Sequence, residues 1–182
     1  MENKDKVAIF IDGSNLYHIL RKIYGHSKTL INFSFEKFIR TILEDKKLVR
    51  TYYYTAPLDR KKDQETYKKQ QKFFEKLKKI PNFRLILCRM QKEKIDGKTI
   101  YLVKEDDIHL AVDMVKLAFN KAYDTAILVS TDGDFVPAVR AVQEIGKKIE
   151  NIGFQNKFSW HLKQECDKFR QLNKEILDKC FD

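Results

Sequence analysis

Two short apolar runs each lead to acids, and this constrains the fold more than any other feature of the chain. Val7-Ala8-Ile9-Phe10-Ile11 stops at Asp12. Ala126-Ile127-Leu128-Val129 leads through Ser130-Thr131 into Asp132-Gly133-Asp134. Such short runs, rich in β-branched side chains and without a polar face, read as strands covered on both sides. Strands of that kind belong to parallel sheets. An acid just past the strand end then stands at the carboxyl edge, where open α/β folds take their ligands.

The rest of the chain alternates in the same way. The patterning predicts strand 6–11, helix 14–24, helix 35–45, strand 48–55, helix 60–79 and strand 83–90. It continues with a hairpin over 91–103, helix 106–121, strand 125–130, helix 135–145, strand 148–153 and a last helix near 160–180. Asp96-Gly97 suits the hairpin tip. One helical stripe is Phe35, Phe38, Ile39, Ile42 and Leu43; another is Leu162, Cys166, Phe169, Leu172 and Ile176. The fold class expected is α/β: a three-layer α/β/α sandwich with a mainly parallel central sheet, Rossmann-like, formed by residues 1–182 as one domain with a hairpin insertion at 91–103.

The acids divide into three groups. Asp12-Gly13-Ser14-Asn15 reads as a strand-to-helix turn with Asp12 or Ser14 as N-cap, and equally as a metal ligand with Asn15 reaching back; both roles can hold at once. Pro137 suits the first turn of the helix after Asp134, so Asp134 fits an N-cap. Asp132 and Asp134, two residues apart across a glycine, repel each other unless a cation or proton intervenes. Ser130 and Thr131 offer hydroxyls to a phosphate or a bound water. The third group runs from Lys104 to Met114. At 100° per residue, Leu110, Ala111, Met114, Leu117 and Ala118 form the buried stripe, and Asp107, in line with Met114, extends it. Asp107 is therefore expected to face the sheet, with Asp106 and Asp113 to one side in supporting places. Acids gathered from distant segments suggest a divalent cation, and carboxylates suit Mg²⁺ or Mn²⁺.

A net charge of +10, from 36 Lys and Arg against 26 Asp and Glu, favours a polyanionic partner. The run from Arg60 to Lys79 is rich in lysine. Lys61, Lys68 and Lys72 there, with Lys94 and Lys98 beside the hairpin tip and Lys104 after it, are candidates for phosphate contacts. Tyr52, Tyr53 and Tyr54 alternate across a strand, which places at least one in the core and weakens their case as a base-stacking platform. Three cysteines without C-x-x-C spacing argue against a disulfide framework or zinc site and for a reducing cytoplasm. No apolar stretch is long enough for a membrane span or signal peptide.

These segments resemble the NYN-domain proteins of the LabA-like group, in the PIN-like nuclease superfamily. Ile9-Phe10-Ile11-Asp12-Gly13-Ser14-Asn15 is similar to the family's D-G-x-N motif, and Lys104 through Asp113 to its K-x-x-D-v-x-L-a-x-D segment. Val129 through Phe135 resembles v-S-x-D-x-D-F, and Cys166-Asp167-Lys168-Phe169 a late a-D-x-F segment. Glu105 and Asp106 stand where the family usually has small or apolar residues. The resemblance implies a PIN-like fold and a Mg²⁺- or Mn²⁺-dependent ribonuclease; the partner expected is RNA, single-stranded by preference. Asp12, Asp107, Asp132 and Asp134 would be the metal ligands and Asn15 an orienting residue. A homodimer is left open. The alternative is a non-catalytic nucleic-acid-binding module with a vestigial acidic site. A haloacid-dehalogenase-type phosphatase needs a second acid two residues after the first; position 14 is Ser14, which argues against it.

Overall fold

The computed structural model describes residues 4–58, 63–95 and 98–182, with residue 95 and residues 98–104 described by their backbone alone. The chain runs β1 (Lys6–Asp12), α1 (Gly13–Tyr24), α2 (Phe35–Leu43), β2 (Lys47–Thr55), α3 (Gln64–Lys78) and β3 (Phe83–Leu87). A hairpin of β4 (Arg89–Ile95) and β5 (Lys98–Lys104) follows, then α4 (Asp106–Phe119), β6 (Thr125–Val129), α5 (Val136–Glu144) and β7 (Lys148–Phe154). The chain closes with α6 (Trp160–Glu165), β8 (Lys168–Leu172) and α7 (Lys174–Asp178).

Six strands form one sheet in the order β3-β2-β1-β6-β7-β8, with every pairing parallel. The apolar strands serve two cores by strict alternation. Val7, Ile9 and Ile11 pack with the buried faces of α1, α2 and α3. Ala8 and Phe10 pack with α4, α5 and α6 on the other side. This is the PIN-like α/β/α sandwich. The chain builds β2 and β3 to one side of β1, then returns to place β6 on the other side. The strand order therefore reverses between β1 and β6, and open α/β sheets take their ligands at the carboxyl ends of the strands at such a switch point.

The hairpin is antiparallel, from Arg89↔Lys104 to Ile95↔Lys98, and forms a separate two-stranded sheet. Its expected Asp96-Gly97 tip lies outside the described residues. The strand expected over 83–90 divides at Cys88, whose amide donates to the Thr55 carbonyl at 2.7 Å.

The expected last helix is corrected. Residues 160–180 form α6, then β8, then α7. The stripe from Leu162 to Ile176 has helical spacing, but β7 would be left with an open edge of unpaired amides and carbonyls. Residues 168–172 fill that edge, from Glu150↔Lys168 to Phe154↔Leu172. Cys166 turns extended, and the Asp167 carboxylate accepts from the Ile149 amide at 2.8 Å and from Gln143 Nε2 at 3.2 Å, fixing the entry into β8. The tyrosines Tyr52, Tyr53 and Tyr54 are all buried, Tyr52 stacked on Phe10 with centroids 5.3 Å apart, so they present no face to a nucleobase.

Candidate active site

Asp12 ends β1 and caps α1. Its Oδ1 accepts from the Asn15 amide at 2.9 Å and its Oδ2 from the Ser130 hydroxyl at 3.0 Å. Gly13 makes this turn feasible. A Cβ there would stand 2.5 Å from the Tyr54 carbonyl oxygen and 2.6 Å from the Tyr53 ring, so no side chain fits between α1 and β2. Ser130 Oγ also accepts from the Asp132 amide at 3.1 Å, joining the ends of β1 and β6. The Asn15 side chain adds a second tie. Its Oδ1 accepts from the Thr131 amide and its Nδ2 donates to Thr131 Oγ1, both at 3.1 Å. Asn15 thus bonds the β6 loop through its side chain and Asp12 through its backbone. Asp132, not Asp134, is the local cap: its Oδ1 accepts from the Asp134 amide at 2.9 Å at the start of a 3-10 turn, Gly133–Phe135.

At the start of α4 the expected orientation is reversed. Asp106 is buried and Asp107 is exposed. The buried row is Asp106, Leu110, Met114 and Ala118, each four residues from the next. Residues four apart form one ridge of a helix, and that ridge lies on the sheet. The seven-residue step from Met114 to Asp107 follows a different line. Glu105, in the left-handed region with φ 72°, makes the bend that brings Asp106 under the helix, and Arg89 holds the Glu105 carboxylate at 2.9 Å.

Asp12, Asp106 and Asp107 each offer a carboxylate oxygen, and the three atoms lie within 4.8 Å of one another. Asp132 and Asp134 are outside this group but close enough for their charge to act on Asp107. Burial pushes the Asp12 carboxyl up to about 7; the charges of Asp107 and Asp106 add to this, and the Asn15 amide and Ser130 hydroxyl partly offset it. Asp107 is raised to about 6, first by desolvation of its carboxyl and then by Asp106, Asp132 and Asp134. The same field reaches Cys88, whose thiol is raised to about 11 by burial and by Asp106, Glu105, Asp107 and Asp113. Among the described residues, no lysine or arginine pairs with Asp12, Asp106, Asp107, Asp132 or Asp134. Three mutually close carboxylates, all hard oxygen donors, suit a hard divalent cation.

Asp113 is placed elsewhere: its Oδ2 accepts from the Tyr54 hydroxyl at 3.0 Å, tying α4 to β2. Of the candidate phosphate-binding lysines, Lys68 and Lys72 on α3 and Lys94 on β4 are exposed. Lys61 lies outside the described residues, as do the side chains of Lys98 and Lys104. Sequence patterning passed over the start of α6, where its N-cap Ser159 and its second residue His161 lie against Gly133; only its distance from the acids in sequence concealed it. No helix among the described residues is long and apolar enough to cross a membrane.

This geometry has relatives. A protein of unknown function from Vibrio parahaemolyticus, known from its crystal structure, superposes with a TM-score of 0.73 at 26% identity, covering 97% of this chain and 98% of that one. An uncharacterized protein of Methanocaldococcus jannaschii is 39% identical over 70 residues, which is 38% of this chain and 29% of that protein. This chain thus matches under a third of the archaeal relative's length. The family model described as NYN domain matches residues 6–173, from the first residue of β1 to just past β8, and the chain therefore belongs to the NYN domain family, within the PIN-like nuclease superfamily.

Proposed function

We propose that this protein is a ribonuclease that hydrolyses RNA phosphodiester bonds with Mg²⁺ or Mn²⁺. The observation that carries this reading is the meeting of Asp12, Asp106 and Asp107 oxygens within 4.8 Å, at the switch point of the sheet, with no described cationic side chain to neutralise them. Asp12, Asp106 and Asp107 would hold the cation, and the charges of Asp132 and Asp134, which reach Asp107, would add to its attraction. When bound, such a cation lowers the pKa of water and offsets charge on the scissile phosphate.

The remaining work falls to the chain's own groups. Ser130 and the Asn15 amide fix both oxygens of Asp12, so its lone pairs are oriented before any ligand arrives. The Asn15–Thr131 pair keeps the β1 and β6 loops at a set separation. Exposed Lys68, Lys72 and Lys94 supply positive charge for the phosphate backbone, and Lys61, Lys98 and Lys104 belong to the same proposed set. Lysine reads backbone charge and not sequence, so this surface would grip RNA broadly.

The test is cleavage of single-stranded RNA by nuclease-free protein with Mn²⁺ or EDTA, beside Asp12→Asn. We expect Mn²⁺-dependent cleavage that falls about 100-fold or more in the variant. Equal cleavage by Asp12→Asn overturns the assignment. Binding that needs no metal and never leads to cleavage makes the protein a binding module instead.

A further inference from the structure

Residues 155–160 leave the carboxyl end of β7, next to β6 in an all-parallel sheet. They therefore lie on the same edge as Asp12 and Asp132, and adjoining strands stand about 4.8 Å apart. The contact is direct. A Cβ on Gly133 would meet Ser159 Oγ at 3.2 Å and His161 Nδ1 at 3.5 Å. Between those two residues is Trp160, 58% exposed, and just before them Phe158, 36% exposed.

These rings form an organised surface. Gly153 lets Phe158 and Phe169 approach β7; a Cβ there would stand 2.8 Å from each. The two phenyl rings pack with centroids 5.5 Å apart. The Lys163 ammonium lies 5.2 Å from the Trp160 ring centroid and 5.4 Å from those of Phe158 and Phe169. An indole left more than half in water, beside the Lys163 ammonium and flanked in sequence by the two residues that lie against Gly133, has no part in either core.

We infer that Trp160, Phe158 and Lys163 form a shelf that stacks a nucleobase of single-stranded RNA beside the acid site. Every base has a π-face for an exposed indole, and the ammonium attracts the adjoining phosphate. A base-paired strand hides those faces, so the shelf selects unpaired RNA. Two partly exposed rings are too small for a stable protein partner, which covers about 800 Å² per side. The net charge of +10 also favours a polyanion. The inference rests on the nuclease reading for its polynucleotide substrate and adds the element that holds the strand in place.

Trp160 is the chain's one tryptophan, so its emission reports on the shelf alone. The full chain is titrated with a single-stranded RNA of about 12 nucleotides in EDTA, following tryptophan emission and the anisotropy of a labelled strand. Emission should be quenched in step with binding. Trp160→Ala should weaken binding about 5- to 150-fold, the equivalent of one stacked base, and Trp160→Phe should restore most of it. An abasic strand of equal length should bind the unaltered protein about as weakly as normal RNA binds Trp160→Ala. Binding without quenching, or equal binding by Trp160→Ala, overturns the shelf; quenching in the unaltered protein decides the matter even if the alanine variant fails to fold. Metal-dependent cleavage without quenching sinks the shelf alone. Quenching in a protein whose Asp12→Asn variant cleaves as well as the parent sinks the nuclease assignment and leaves the shelf standing.

Discussion

Replacing Asp12 by asparagine should stabilise the metal-free protein at alkaline pH. Asp12 is 4% exposed, has no described cationic partner and is held at a pKa of about 7, against an ordinary value of 3.8. Its folded-state value lies above its unfolded value, so the native state binds the proton more tightly. The contribution to stability is complete below about pH 4 and is lost as pH rises to 7. At 1.36 kcal/mol per unit, the full loss is about 4 kcal/mol, and about 3 kcal/mol of it falls between pH 5 and pH 8. Asparagine does not titrate. Its carbonyl can accept from either the Asn15 amide or the Ser130 hydroxyl, not both as the carboxylate does, at a cost of about 1 kcal/mol. The variant should then match the parent near pH 5 and exceed it by about 3 kcal/mol at pH 8. In a chain of this size that is roughly 6–12 °C in melting temperature. Urea unfolding in EDTA at the two pH values measures it. A stability difference between variant and parent that is the same at pH 5 and pH 8 would refute the claim that Asp12 is a buried carboxylate without a counter-charge. Millimolar Mn²⁺ at pH 8 should erase the variant's advantage by stabilising the parent alone.

Two further changes probe the same centre. Asp106→Asn should weaken Mn²⁺ binding by calorimetry about tenfold or more, because Asp106 is the buried acid of α4; unchanged affinity would remove it from the ligand set. Gly13→Ala should cost about 1–3 kcal/mol in urea unfolding, since its Cβ would overlap the Tyr54 carbonyl and the Tyr53 ring; a neutral result would mean that α1 is free to shift away from β2.

The apolar runs before Asp12 and Ser130 made the sheet legible, because a strand buried on both faces leaves no polar position in its sequence. The acids at the strand ends were legible for the same reason: strand direction in a parallel sheet places them all on one edge. What the sequence obscured follows from geometry settled only on packing. Leu162, Cys166, Phe169, Leu172 and Ile176 repeat as a helix would, and only the open edge of β7 turns 168–172 into a strand. Asp106 and Asp107 are adjacent, and the choice between them depends on which ridge of α4 meets the sheet and on the left-handed bend at Glu105. Neither is encoded in hydrophobic period alone. The role of Asn15 depends on a partner 116 residues away, Thr131, which no local pattern marks.

The distribution of charge gives the candidate site its sense. A chain at +10 could neutralise its few clustered acids with lysine, as it does at Glu150, where Lys46 and Arg170 approach to 2.8 and 3.1 Å. At the ends of β1 and β6 no described lysine or arginine does so. Instead, Ser130 and the Asn15 amide hold the Asp12 carboxylate in one orientation, hydrogen bonding without supplying charge. A neutral clamp orients an anion and leaves its field intact, whereas a lysine would cancel it. Fixed carboxylates with an uncancelled field cost stability in the free protein, and that cost is recovered only when a cation arrives from solution. On the proposed function, acids without a described cationic partner beside exposed lysines would let one surface attract a polyanion while the acid site repels it until its own charge is balanced.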